Sequence, residues 1–382
     1  MFKLAVVFGT RPEAIKMAPV VKACRAVEGW DVRIISTGQH REMLDQVLEL
    51  FGLDADYDLN IMSHGQTLGD ITRRTLKGME EVFARWLPDL VLVHGDTSTA
   101  FAAALASFYA KIPVGHVEAG LRTQSIDNPF PEEANRRLVD VLAAWYFAPT
   151  EQSALNLRRE GVDASRIFVT GNTVIDALLS VVDDNYQFTS PELQNLDFDQ
   201  PVLVVTAHRR ENWGEPLKEI CEALLEISAG KFFGEEKQLQ IVVAMHRNPN
   251  IQRVMKGILG NSPNIVLLAA PDYLEFANLL ARCTLVLTDS GGLQEEAPAL
   301  HKPVLVMREV TERPEALEAG TVKLVGSRKR DIVDAVQELL TNPELYKRMS
   351  SAPNPYGHGQ AAKTICKILQ EKYKQLGVSQ WQ

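Results

Sequence analysis

The sequence predicts an α/β protein of two Rossmann-like, doubly wound parallel-sheet domains facing each other across a cleft. Three observations predict it. Short runs rich in Val, Ile and Leu recur along the chain, each broken by polar or turn-forming residues. Segments of helical period separate these runs, which is the alternation of βαβ units and a parallel sheet. The alternation lapses once, near the middle of the chain, and then restarts.

Taken in order, Leu4 to Phe8 reads as a buried strand ended by Gly9-Thr10-Arg11-Pro12. Pro12 suits the first turn of a helix, and Ala14 to Val27 carries helical spacing. Val32 to Ser36 is the next strand, followed by helices through Leu50 and from Ile71 to Trp86. The strand Asp89 to Val93 ends in His94-Gly95-Asp96, and the Ala-rich stretch Thr99 to Ala110 is helical. Ile112 to Val117 ends at Glu118, and a long loop then leads to Pro131-Glu132-Glu133 and another helix. Strands at Trp145 to Ala148 and Ile167 to Thr170 close the first series. Asp183 to Pro201 loses periodicity, gains turn residues and reads as a linker. Six further strands are expected near residues 202–206, 239–244, 265–268, 285–288, 304–307 and 322–325, and an amphipathic helix from Gln360 to Leu376 ends the pattern. The expected domains are therefore 1–183 and 200–360, with 361–382 as a terminal helical segment.

Composition narrows the function. A chain of 382 residues, 46% hydrophobic, can bury a full core. The formal charge of −9 and a pI near 5.5 oppose binding to nucleic acid or to an anionic membrane. An anionic small molecule would have to be held by a local basic cluster. Cys24, Cys221, Cys283 and Cys366 are dispersed, with no CxxC pair, which argues against a zinc site and fits a reducing cytoplasm. No leader-like segment and no apolar run of membrane-spanning length is evident, so a cytoplasmic protein is expected. No group of Asp, Glu and His has metal-ligand spacing, so neither a metal nor another cofactor is expected.

In a parallel sheet, ligands collect at the carboxyl ends of the strands, so the residues just after each strand carry the information. Gly9 to Lys16 matches neither a dinucleotide fingerprint nor a P-loop, but Arg11 and Lys16 are placed to meet a phosphate or to serve as surface charges. Asp96 and Glu118 end two strands of one sheet and suit acid–base work; helix capping is the alternative, above all for Asp96. Glu132 and Glu133 lie in a first helical turn, where carboxylates are favoured in any case. His208-Arg209-Arg210 follows a strand of the second half as a phosphate-facing cluster, with an Arg210–Glu211 pair as the competing reading. His246 repeats the arrangement one strand later, and Arg313 opens another helix. Ser290-Gly291-Gly292 is a Gly-rich strand-to-helix turn, a natural anion site. Such a turn contributes about 0.3–1 kcal/mol to a surface charge, whereas micromolar binding of a pyrophosphate needs roughly 8 kcal/mol. Charge-assisted contacts from Arg11, His208 and Arg313, at about 1.5–3 kcal/mol each, would supply the rest.

These segments together resemble the non-hydrolysing UDP-N-acetylglucosamine 2-epimerases. The resemblance is carried by Phe8 to Lys16, His94-Gly95-Asp96-Thr97, His116 to Arg122, Pro131 to Arg136, His208 to Asn212, Thr288 to Pro298 and Thr311 to Glu315, in the family's order. It implies a fold of the glycosyltransferase-B type, a terminal helix that returns to the first domain, a homodimer, and a part in surface polysaccharide synthesis. It also implies removal of the C2 proton with loss of UDP, then re-addition of UDP with protonation on the opposite face. By resemblance Asp96, Glu118, Glu132 and His208 are catalytic, and Arg11, Lys16, Ser290, Gly291, Gly292, Glu296 and Arg313 contact UDP. Pro271 and Phe276 fall where the family holds uracil, and Glu296 suits the ribose hydroxyls. Some members bind a second UDP-N-acetylglucosamine as an activator, and Gln39, His40, Gln66, Arg210 and His246 are similar to that site. Glu42 and Gly65 depart from it, standing where Gln and Arg are usual. Two other enzymatic readings are a 2-epimerase of a modified UDP-acetamido sugar and a UDP-sugar transferase of the same fold. A catalytically silent nucleotide-sugar sensor would lack the carboxylates, which are present.

Overall fold

The computed structural model describes residues 1–38, 41–63, 65–123, 125–230, 238–246 and 248–376. The chain forms two compact units, Met1–Leu179 with Tyr356–Gln382, and Ser180–Pro355. Among the described residues the first unit carries a seven-stranded sheet: β1 (Phe2–Phe8), β2 (Trp30–Ser36), β3 (Tyr57–Asp58), β4 (Leu90–His94), β5 (Val114–Val117), β6 (Trp145–Ala148) and β7 (Ile167–Val169). The second unit carries six strands: β8 (Val202–Thr206), β9 (Gln240–Ala244), β10 (Ile265–Leu268), β11 (Leu285–Thr288), β12 (Val304–Val306) and β13 (Val322–Leu324).

Every strand pairing in both sheets is parallel, with orders β3-β2-β1-β4-β5-β6-β7 and β10-β9-β8-β11-β12-β13. Helices cover the sheet faces, so central strands such as β4 are buried on both sides and read as continuous apolar runs. In each sheet the strand order reverses once, between β1 and β4 and again between β8 and β11. At such a switch point the loops after the two strands part in opposite directions and leave a crevice above the sheet. The topology thus directs attention to the residues following β1, β4, β8 and β11.

Two features depart from the sequence expectation, and the terminal helix lies where it was expected. The short strand β3 is additional: two residues carry no periodic signal, and it forms because Tyr57 pairs with Ile35 while Arg33 donates to the Tyr57 hydroxyl at 2.8 Å. The stretch read as a linker belongs to the second unit. Its backbone is pinned there: Thr189 and Ser190 N–H donate to the buried Glu275 carboxylate at 2.9 and 2.8 Å, and Arg282 donates to the Tyr186 carbonyl at 2.7 Å. Phe188 and Phe198 stack 5.2 Å apart beneath the same guanidinium. Aromatics scattered among polar residues gave no periodicity, yet they pack. The terminal helix Ala361–Leu376 lies on the first unit, where Ala361 and Ala362 N–H donate to Asp176 at 3.1 and 3.0 Å and the Tyr373 ring meets Phe2 at 4.5 Å. Among the described residues no helix is long and apolar enough to cross a membrane.

Candidate active site

In the first unit the turn after β1 is built around a buried carboxylate. Glu13 accepts from the Gly9 and Thr10 N–H at 3.1 and 2.8 Å and from the Thr10 hydroxyl at 2.8 Å. Its other oxygen accepts from the Thr97 hydroxyl at 2.6 Å, which ties this turn to the one after β4. Gly9 is required for the approach, since a Cβ there would lie 2.0 Å from Thr37 Oγ1. The helix Arg11–Arg25 then starts with Arg11 and carries Lys16 on its second turn, both half-buried.

Lys16 Nζ donates to Glu118 Oε2, and Asn172 Nδ2 donates to the same oxygen at 2.8 Å. His94 Nε2 lies 3.6 Å away. Glu118 sits at φ 65°, a left-handed conformation costly for a residue with a side chain. Burial works to raise its pKa, but the Lys16 charge and then His94 outweigh it and hold the carboxyl well below the usual range. Glu118 is therefore ionised and held in place by Lys16 and Asn172.

Asp96 follows β4, the neighbour of β5. It does not cap the next helix; the Thr97 hydroxyl does, accepting from Ala100 N–H at 3.0 Å. The Asp96 carboxylate instead accepts from Arg136 Nη2, and its carbonyl accepts from Asn135 Nδ2 at 2.9 Å. A Cβ on the preceding Gly95 would lie 3.7 Å from Glu118 Oε1, so the two carboxylate-bearing turns are adjacent. Behind them His116 bridges the Gly95 carbonyl (2.7 Å) and Asp140 (2.6 Å), which also takes Arg122 at 2.7 Å.

Helix Glu132–Leu142 separates its two leading carboxylates by role. Glu133 is fully buried, accepting from Thr123 N–H at 3.1 Å, Arg136 at 2.9 Å and Arg137 at 2.7 Å. Glu132 is half-buried, and no hydrogen bond or ion pair to it is found among the described residues. Glu133 anchors the two arginines, whereas Glu132 faces partly outward.

In the second unit the turns after β8 and β11 interlock through Asp289, which is fully buried. Asp289 Oδ2 accepts from the His208 N–H, the Arg209 N–H and Asn212 Nδ2, each at 2.9 Å. His208 Nδ1 lies 2.9 Å from Oδ1. The Ser290-Gly291-Gly292 turn follows immediately and leads into helix Leu293–Ala299. A Cβ on Gly292 would lie 3.4 Å from Glu296 Oε2 and 4.0 Å from Ser290 Oγ, so the turn, the hydroxyl and the carboxylate share one small region. Pro271 and Phe276 lie before and within helix Tyr273–Arg282, both half-buried.

Two of the candidate cations have neighbours that the sequence did not single out. Arg210 is exposed, 5.9 Å from the Trp213 ring, while Glu211 pairs with Arg308 at 2.9 Å, and among the described residues no Arg210–Glu211 pair is found. Arg313 donates to the buried Glu295. Glu312, deep among Arg209, Arg313 and Arg308, is pulled down to about 2, their charges outweighing its burial.

Of the residues similar to the activator site, Gln39 and His40 lie outside the described residues. Gln66 accepts from the Ser63 N–H at 3.1 Å. The His246 ring stacks on His208 with centroids 6.4 Å apart, and its Nδ1 accepts from the Asn248 N–H at 3.1 Å. The Asn172, Arg136 and Asp289 contacts had no sequence signal, because each spans 40 or more residues to its partner. Among the described residues no cluster of His, Cys, Asp and Glu has metal-binding geometry.

Comparison with known proteins identifies the architecture. The family model for UDP-N-acetylglucosamine 2-epimerase matches residues 22–370. The chain belongs to this family. It is 51% identical to the Escherichia coli K12 UDP-N-acetylglucosamine 2-epimerase over 380 residues, covering 96% of this chain and 98% of that protein. The family's solved structures include the Neisseria meningitidis UDP-GlcNAc 2-epimerase bound to UDP-GlcNAc, with TM-score 0.86 and 47% identity, covering 97% of this chain and 100% of that one. A Staphylococcus aureus relative with UDP superposes with TM-score 0.87 at 44% identity, covering 98% and 97% of the two chains. The two parallel-sheet units are thus those of the family's glycosyltransferase-B-like fold.

Proposed function

We propose that this protein interconverts UDP-N-acetylglucosamine and UDP-N-acetylmannosamine by elimination and re-addition of UDP. The observation that carries this reading is the pair of positioned carboxylates after adjacent strands β4 and β5, one paired with Lys16 and one with Arg136. A glycosyltransferase of similar fold has no need of several groups that exchange protons with carbon.

In the proposed reaction a carboxylate removes the C2 proton. The C–H electron pair forms the C1=C2 bond of a 2-acetamidoglucal, and the C1–O bond breaks with its electrons on the UDP oxygen. In the second half UDP re-adds at C1 while a protonated group delivers a proton to the opposite face of C2. Asp96, Glu118 and Glu132 are the proposed proton-handling groups, since two faces of one carbon require two separately placed donors. Lys16 keeps Glu118 ionised when the site is empty. His208 and the Ser290 to Gly292 turn hold and stabilise the departing pyrophosphate, with Arg11 and Arg313 as the associated cations and Lys16 close to them in role. Pro271 and Phe276 take the uracil, and Glu296 takes the ribose hydroxyls, where a carboxylate accepts two O–H donors without facing phosphate. For Arg313 this requires the guanidinium to share its five donors between Glu295 and the nucleotide.

The test is exchange with solvent. Incubated in D₂O, the enzyme is expected to place deuterium at C2 of recovered UDP-sugar, in both epimers, as seen by NMR. Recovery of unlabelled nucleotide sugar from active protein would end the elimination mechanism. The same measurement on a panel of UDP-acetamido sugars identifies the preferred substrate.

The proposed assembly is a homodimer. Helices Ser98–Tyr109 and Glu132–Leu142 pack side by side and expose Phe108, Tyr109, Leu138 and Val141, the last at 80%. An apolar row of this kind on a −9 chain suits an interface between copies. Val141→Asp is expected to shift sedimentation from dimer towards monomer; an unchanged dimer would place the interface elsewhere. The proposed setting is the cytoplasm, consistent with four free, buried cysteines, and the proposed role is supply of the mannosamine nucleotide for surface polysaccharide.

A further inference from the structure

The geometry points to Asp289 as a positioning residue that fixes the tautomer and direction of His208. This inference rests on the proposed role of His208 beside the leaving pyrophosphate. The two residues are 81 positions apart, and the contact exists because β8 and β11 are neighbours at the switch point of their sheet, Thr206 pairing with Thr288.

The carboxylate makes two kinds of contact, one from each oxygen. Three donors converge on Oδ2: the backbone N–H groups of His208 and Arg209, and Asn212 Nδ2, all at 2.9 Å. Oδ1 faces His208 Nδ1 at 2.9 Å, with the His208 N–H shared at 3.1 Å. A fully buried carboxylate beside a ring nitrogen accepts; it has no proton of its own to give, because three N–H donors besides the ring already point at it. Nδ1 therefore carries the proton, and Nε2 is the nitrogen left to the half-exposed side of the ring. The stacked His246 does not compete for Nδ1, since its own Nδ1 is taken by the Asn248 N–H and its ring meets His208 face to face at 15°. Burial tends to raise the Asp289 pKa, but the His208 hydrogen bond and charge lead the effects that bring it below the usual value. The carboxylate thus stays charged.

With Nδ1–H held, Nε2 does all the outward chemistry. It accepts a proton when the ring is neutral and donates one when the ring is charged, so one nitrogen serves both directions of a reversible reaction. The opposite tautomer would present a fixed N–H outward and could not accept.

Asp289→Asn separates this role from scaffolding. The three donors at Oδ2 hold the amide oxygen at that position, which turns the amide NH₂ towards His208. Nδ1 then has to accept, and the neutral ring carries its proton on Nε2. The experiment is ¹⁵N-histidine NMR of the full chain above the titration of its rings, with His208→Asn used for assignment, together with steady-state kinetics. In the parent protein, neutral His208 is expected to show a protonated Nδ1 and an unprotonated Nε2. In Asp289→Asn the two signals are expected to exchange character, with kcat falling about 100-fold and KM changing less than about threefold. A parent His208 with its proton on Nε2 overturns the inference, and so does an Asp289→Asn protein whose kcat stays within about threefold of the parent. The NMR measurement needs no turnover and no folded variant at position 289. A protein inactive on every UDP-sugar would therefore overturn the epimerase reading while the tautomer still decides this one.

Discussion

Glu118→Gln is expected to lower kcat by about 100-fold or more while UDP binds within about threefold of the parent affinity. The amide keeps the shape of the side chain and can still accept from Asn172 Nδ2, so the left-handed turn at this position is retained. What is lost is the charge. A Gln cannot take a proton from carbon, and Lys16 loses the counter-ion that faces it. Asp96→Asn and Glu132→Gln are expected to act in the same direction, because a neutral amide at any proton-handling position blocks one face of C2. Turnover is measured by following the two epimers, and UDP affinity by titration calorimetry. Near-normal turnover in any of the three would remove that residue from the proton-handling set. Loss of UDP binding in parallel with turnover would assign the residue to the nucleotide instead.

Gly120→Ala is expected to destabilise the first unit by about 3 kcal/mol or more, read as a lowered urea midpoint. Gly120 has φ 84°, and a Cβ there would lie 2.3 Å from the Ser153 carbonyl oxygen and 2.9 Å from Leu157 Cγ. The first contact is with backbone, which cannot rotate away. The substitution would also push on the Asn156 amide that donates to the Gly120 carbonyl at 3.0 Å, and Glu118 stands two residues upstream. Gly161 supplies the control. It has φ 88° but nothing within 4 Å of an added Cβ, so Gly161→Ala carries only the backbone penalty of about 1–2 kcal/mol. If the two variants were equally stable, the close packing of the β5–loop turn onto helix Glu151–Arg159 would not be a determinant of stability.

Much of the molecule was legible in the chain itself, for a physical reason. Strands buried on both faces must be apolar throughout, so runs such as Leu90 to Val93 and Leu285 to Leu287 announce themselves. Helical stretches between them then require parallel pairing, and parallel pairing sends functional residues to the strand ends. That logic singles out Lys16, Asp96, Glu118, His208 and Ser290 as candidates by position. The segment Asp183 to Pro201 reads as a linker because its packing depends on a few aromatics and on Glu275, which lies 85 residues beyond Ser190. Nothing local distinguishes such a segment from a solvated linker.

The charged groups divide differently. Sequence placed Glu132 and Glu133 side by side in one helical turn and offered no physical ground for separating them. The tertiary structure separates them, because helix Glu132–Leu142 turns one carboxylate inward onto Thr123, Arg136 and Arg137 and leaves the other half-exposed. Only the tertiary structure shows that Glu295 accepts from Arg313 and that Glu211 reaches Arg308. Asp289 reads as the residue before a glycine turn until β8 and β11 bring His208 against it. Periodicity is a short-range property, which neighbouring residues record together. Ion pairing is set by which strands become neighbours. In this protein the sequence by itself therefore determined the strands, the turns and the chemical types at their ends, and the strand order β1-β4-β5 and β8-β11 alone decided which charges meet.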